Sequence, residues 1–243
     1  MKKIITILAF VALSSVSAKA LDFSVFSLTG GVSAGNSVWG ASAQQDEYDS
    51  NNSGTIDATN KQSGAFTSSY GSYFYEFGIG KYVSFGYDVV DGAISTPENV
   101  NSGGHPAGGD TSKVSVDFND LSTTYAKLNI PFVTGLYIKA GNVSTDVDIK
   151  ETQKSGNTYK NVSVNGTSIG GGIERMLGDT NFSLRAETNY VELDNITVNN
   201  GVGTKTSGGT TSNGGFNEIK ASKIEGLTGS IALTYTFGKN RIN

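Results

Sequence analysis

Apolar and polar residues alternate with a period of two along most of the chain. The clearest stretch runs from Thr167 to Leu193. Ile169, Gly171 and Ile173 fall on one register, and Ser168, Gly170, Gly172 and Glu174 on the other. After Met176 to Asn181, which supplies Gly178 and Asp179 for a tight turn, Phe182, Leu184, Ala186, Thr188 and Tyr190 alternate with Ser183, Arg185, Glu187 and Asn189. Successive side chains of a strand point to opposite sides of the pleated backbone, so this period predicts a hairpin with one apolar and one charged face.

Read in the same way, the chain predicts eight strands, near 23–41, 66–78, 82–90, 121–130, 136–149, 167–176, 182–193 and 222–237. Tyr73, Tyr75, Phe77 and Ile79 oppose Glu76. Thr124, Ala126, Leu128 and Ile130 oppose Lys127 and Asn129, while Leu136, Ile138 and Ala140 oppose Lys139. The connections alternate in length. Short ones lie near Gly80, at 131–135 and at 176–181, and long polar ones at 42–65, 91–120, 150–161 and 195–221. Lys113 to Phe118 alternates inside one of these polar stretches and could extend a strand beyond a membrane.

In an antiparallel meander, odd and even connections lie at opposite ends. All the short turns therefore gather at one end and all the long loops at the other, the asymmetry of outer-membrane barrels. The expected fold is all-β, an eight-stranded antiparallel up-and-down transmembrane β-barrel. The first strand should pair with the last, because a bare backbone edge is costly in lipid. The apolar registers then face lipid, with Tyr73, Tyr75, Tyr82, Tyr87, Tyr190, Tyr235 and Phe237 as candidates for interfacial girdles. Glu76, Lys127, Lys139, Glu174, Arg185 and Glu187 fall on the opposite register. Both signs are present and a narrow barrel is filled by its own side chains, so an internal ion-pair network is expected there.

Composition narrows the picture only in part. The 32 Gly, 11 Tyr and 12 Phe suit a barrel or a secreted all-β domain. With no cysteine, stability must come from packing and backbone pairing. Residues 1–20 combine Lys2 and Lys3, an apolar stretch from Ile4 to Leu13 and an Ala18-Lys19-Ala20 cleavage pattern. They read as a secretory signal ahead of one domain, 21–243. No later apolar run is long enough for a spanning helix. The balance is acidic, and no basic stripe offers itself to phosphates, so a nucleic-acid partner is not expected.

Chemical motifs are few. Asp49, Asn51, Ser53 and Asp57 take positions 1, 3, 5 and 9 of an EF-hand-like loop, with Gly54 at 6 and Ile56 at 8. Asn60 stands where the bidentate Glu belongs and no helical pattern flanks the loop, so calcium is a weak candidate ligand and no other cofactor is expected. His105, the sole histidine, sits in a Gly-rich stretch. No nucleophile–base or metalloprotease pattern occurs, and an enzyme is not expected.

Gly170-Gly171-Gly172-Ile173-Glu174-Arg175, with Leu177-Gly178-Asp179 and the stretch from Asn181 to Tyr190, resembles the penultimate hairpin of small Gram-negative outer-membrane barrels of the OmpA-like and opacity-protein-like group. Gly229 to Phe237 resembles that group's last strand. The resemblance covers about residues 166–237. It implies residence in the outer membrane of a Gram-negative bacterium. It also implies dealings with outer-membrane lipid, periplasmic chaperones and the barrel insertion machinery, which reads a terminal aromatic. Here six residues follow Phe237, a departure from that pattern. Members of the group serve as adhesins, structural proteins or small pores. The expected function is a structural or adhesin-like surface role through long loops with an unknown extracellular ligand. The alternatives are a narrow diffusion pore for small solutes and a secreted soluble all-β binding domain.

Overall fold

A computed structural model describes residues 25–48, 55–101, 112–152, 159–201 and 216–238. They form one antiparallel sheet of eleven strands. The long strands are β1 (Phe26–Tyr48), β2 (Ile56–Ile79), β3 (Val83–Asp91), β6 (Ser112–Asn129), β7 (Leu136–Thr152), β8 (Val162–Met176), β9 (Phe182–Leu193) and β11 (Asn217–Phe237). Three short ones, β4 (Ile94–Ser95), β5 (Asn99–Asn101) and β10 (Ile196–Asn199), lie within stretches read from sequence as loops. The order is β1-β2-β3-β6-β7-β8-β9-β11-β10, with β4 and β5 paired to β6. β1 pairs with β2 on one side and with β11 on the other, Leu28 standing opposite Phe77 and Phe237.

The eight-stranded expectation is therefore corrected to an eleven-stranded antiparallel sheet. The physical reason lies in the polar stretches. They keep the two-residue period but carry Ser, Asn, Asp and Lys on the outward register, so they read as loops. In the structure their described parts prolong the wall instead. β1 has 23 residues and β2 has 24, against roughly 9–11 for a strand that only crosses a bilayer. Lys113 to Phe118 belongs to such a prolongation of β6.

β7 shows why the wall falls into two halves. Near the short turns its outward residues are Leu136 and Ile138, both exposed, and its inward ones are Tyr137 and Lys139. Further along, the outward residues are Asn142, Ser144 and Asp146, and Val143 and Val147 point inward and are buried. Alternation never breaks, but apolarity changes side. The first half is greasy outside and charged inside. Val32, Val38, Phe77, Phe85, Leu128, Ile138, Ile169, Leu184, Leu227 and Ile231 make its exposed belt. The second half is built like a soluble β-domain, with Trp39, Ile94, Phe118, Leu121, Val143, Val147, Val164, Leu193, Ile196 and Ile224 in one buried cluster. Trp39 stacks on Phe118 with ring centroids 6.1 Å apart.

Two irregularities mark the transition. The β1–β11 register shifts between Gly40 and Ser42, beside Lys223 at φ 53°, and the β6–β7 register shifts between Asn119 and Ser122, beside Asp120 at φ 50°. Such bulges bend a strand and re-aim its side chains. At the other end, Gly80 and Gly178 take φ 61° in tight turns, a conformation that favours glycine. Aromatics gather at that end: Phe26 stacks on Phe77, and Phe182, Tyr235 and Phe237 form a chain of edge contacts. Tyr82, Tyr87, Tyr190 and Phe237 are exposed at the belt.

Candidate functional site in the charged interior

The inward register of the lipid-facing half carries the charges. Glu76 on β2, Lys127 on β6, Glu174 on β8 and Arg185 on β9 converge, all at most 4% exposed. Glu174 and Arg185 are direct cross-strand partners. The Arg185 guanidinium donates to both Glu76 oxygens, at 2.8 and 2.9 Å, the planar fork-to-fork fit that arginine makes with carboxylates. It also donates to Glu174 Oε2, at 2.8 and 3.2 Å. Lys127 Nζ lies 2.6 Å from Glu76 and 3.3 Å from Glu174. Thr234 donates to the other Glu174 oxygen at 3.0 Å. Lys139 and Glu187 form a neighbouring pair at 2.7 Å. Of the six charged residues expected on this register, four make one cluster and two make the adjoining pair.

Glycines make room for the tyrosines that complete it. Gly86 pairs with both Glu76 and Tyr125, and a Cβ on Gly86 would lie 2.3 Å from the Tyr125 ring. The ring thus lies flat across the bare backbone, and its hydroxyl donates to Glu76 at 2.9 Å. Across the interior, Tyr137 lies over Gly172 and donates to Glu187 at 2.7 Å. Phe74 covers Gly31 and packs its ring 4.5 Å from the Arg185 guanidinium carbon. Lys139 Nζ sits 4.0 Å above the Tyr125 ring. Sequence reasoning missed Phe74, Tyr125, Tyr137 and Thr234. The signal was present for three of them, since Phe74, Tyr125 and Tyr137 each stand two residues from a charge already placed inward, while Thr234 pairs with Ser183, two residues from Arg185.

This arrangement stoppers the interior. A cavity of about 30 Å³ remains beneath the cluster at the short-turn end, lined by Thr29, Glu76, Lys127, Asn129, Glu174 and Thr236, a space on the scale of one or two waters. Above the cluster lies the apolar core of the second half. Every carboxylate oxygen of Glu76 and Glu174 accepts a bond, so the buried charges satisfy one another.

Outside the lipid-facing half the ion pairs are peripheral. Hydrogen bonds from Lys220, then Gln44, hold the Asp46 carboxyl below the usual range, and Lys220, bonded to Glu218 and Asp46, is held above its own. Lys150 does the same for Asp117. Asp49, Asn51, Ser53 and His105 lie outside the described residues, as does the side chain of Asp57, whose backbone belongs to β2. Among the described residues no three metal-binding side chains come together.

No family profile matches the chain, and no curated protein does. Its course is similar to solved outer-membrane proteins. The outer membrane protein OprG of Pseudomonas aeruginosa matches with a TM-score of 0.55 at 7% identity, over 90% of this chain and 100% of OprG. The outer membrane protease OmpT of Escherichia coli matches at 0.42 and 9%, over 87% of this chain and 97% of the other. The attachment invasion locus protein Ail of Yersinia pestis matches at 0.33 and 12%, over 85% and 99%. The likeness to OprG speaks for the fold. The apolar belt and the OprG-like course of the chain together make this a bacterial outer-membrane β-barrel protein, located in the outer membrane of a Gram-negative organism.

Proposed function

We propose that the protein is a non-conducting surface platform, a rigid wall that carries its long connections outside the cell for structural or adhesin-like contact. One observation supports this reading above all: two stoppers stand in series, the Glu76–Lys127–Glu174–Arg185 cluster and the apolar core around Trp39 and Phe118. A solute would have to break a mutually satisfied charge cluster and then cross a dry layer. The same satisfaction argues for binding rather than catalysis, because the carboxylates and cations of the cluster already occupy one another. Membership of the OmpA-like and opacity-like group is part of the proposal and rests on the motif at 166–237. So is delivery by the insertion machinery through the Phe237 strand. Planar-bilayer recording of the purified protein tests the function: a silent bilayer is expected, and steady single-channel currents would favour the narrow-pore alternative.

A further inference from the structure

We propose that the outward face of the second half holds a docking site for the sugar headgroup of an outer-leaflet glycolipid. A concavity of about 420 Å³ lies against four adjacent strands there, lined by Ser42, Gln44, Lys61, Ser63, Asn195, Thr197, Lys220 and Ser222 among others. That volume is within the range of small-molecule sites, roughly 300–1,000 Å³.

The register explains the surface. Gln44 pairs with Lys61 on β2 and with Lys220 on β11, and Lys220 pairs with Thr197 on β10. One row therefore reads Lys61, Gln44, Lys220, Thr197. The row below it contains Ser63, Ser42 and Ser222, with a Ser42–Ser63 hydroxyl contact of 3.0 Å. Amides, hydroxyls and amines in two ranks can both donate to and accept from a polyhydroxylated ring. Asp46 and Glu218 neutralise Lys220, while Lys61 has no ion-pair partner among the described residues. The surface thus presents mostly neutral hydrogen-bonding groups and one available cation, which suits a sugar bearing an anionic substituent better than a bare phosphate or an acidic peptide.

Position selects the source. Val38 and Leu227, at the top of the exposed belt, share this outward face with Ser42. Ser42 follows Val38 by four residues, about 13 Å of strand at the usual rise. A lipid whose chains lie on Val38 and Leu227 has its headgroup at the saddle, so the site continues the lipid interface rather than standing apart from it.

Native mass spectrometry of the folded protein in detergent tests this, with rough lipopolysaccharide as one probe and phosphatidylglycerol as the other. The expected result is a 1:1 adduct with the lipopolysaccharide and none with phosphatidylglycerol at equal concentration. The double variant Lys61→Ala/Gln44→Ala should lower the bound fraction at least fivefold, and so should Ser63→Trp, which fills the saddle without changing charge. Lys113→Ala, which removes an exposed pair with Glu98, should leave it unchanged. Heat-modifiable migration identifies which variants are folded. Equal binding of phosphatidylglycerol, no lipopolysaccharide adduct, or binding undiminished in a folded saddle variant would each overturn the proposal.

Discussion

Arg185 is where the interior is most sensitive. It bonds two carboxylates that are almost wholly buried, so Arg185→Ala leaves buried negative charge short of a partner, a loss of about 3–5 kcal/mol by analogy with other buried pairs. Urea titration of the folded, heat-modifiable form measures it. Lys150→Ala should cost under about 1 kcal/mol, because Lys150 is 63% exposed where it meets Asp117. The tyrosine-on-glycine joints give a second residue-level test. Gly86→Ala should destabilise by about 1–3 kcal/mol, since the Tyr125 ring must move. In a Tyr125→Ala background the same change should cost much less, a coupling that a double-mutant cycle reads directly. The charges themselves were legible in the sequence, because Glu76, Lys127 and Arg185 each interrupt a polar register inside an otherwise apolar alternation. Their aromatic partners were legible only by register: Tyr125 and Tyr137 alternate in step with Lys127 and Lys139, but the bare glycines opposite them, Gly86 and Gly172, are known only once strands distant in sequence are paired.

At the scale of elements, the ends of the strands are the lesson. The short turns were legible, since Gly80, Gly135 and Gly178 sit where a positive φ is needed. The long polar stretches were misread. Ser42 to Tyr48 and Ile56 to Ser63 read as part of a loop, but they continue β1 and β2. A period-two reading that expects one greasy face everywhere cannot see a strand leave the membrane. Val147→Asp, inside the outer core, should therefore release the second half alone. Limited proteolysis should then cut within β6 and β7 above Ser122 while the lipid-facing half stays protected. The pairs on this half also set a pH dependence. The carboxyls of Asp46 and Asp117 are held low, so their contribution is full above the unfolded value of about 3.9 and is lost as pH falls below it. Lys220 is held high, so its contribution persists below about 10.4 and is lost only as pH rises past that. Thermal melting should show a fall in stability on the acid side that is smaller in Asp46→Asn.

Seen whole, the molecule meets two solvents with one continuous wall. Lipid demands apolar side chains outside and paired backbone, and this leaves the inward register for charge. Water above the membrane demands the reverse, and the wall complies at the bulges beside Asp120 and Lys223. The change of side is the central claim, and β7 crosses it in a chain that has no cysteine to remove first. The most direct test is spin labelling of single variants in lipid, Ile138→Cys, Ala140→Cys, Ser144→Cys, Asp146→Cys and Val147→Cys, read by oxygen and nickel-chelate accessibility. Labels at 138 and 140 should respond to oxygen, those at 144 and 146 to the water-soluble chelate, and that at 147 to neither. Oxygen-dominated accessibility at 144 and 146, or chelate access at 138 and 140, would contradict the account.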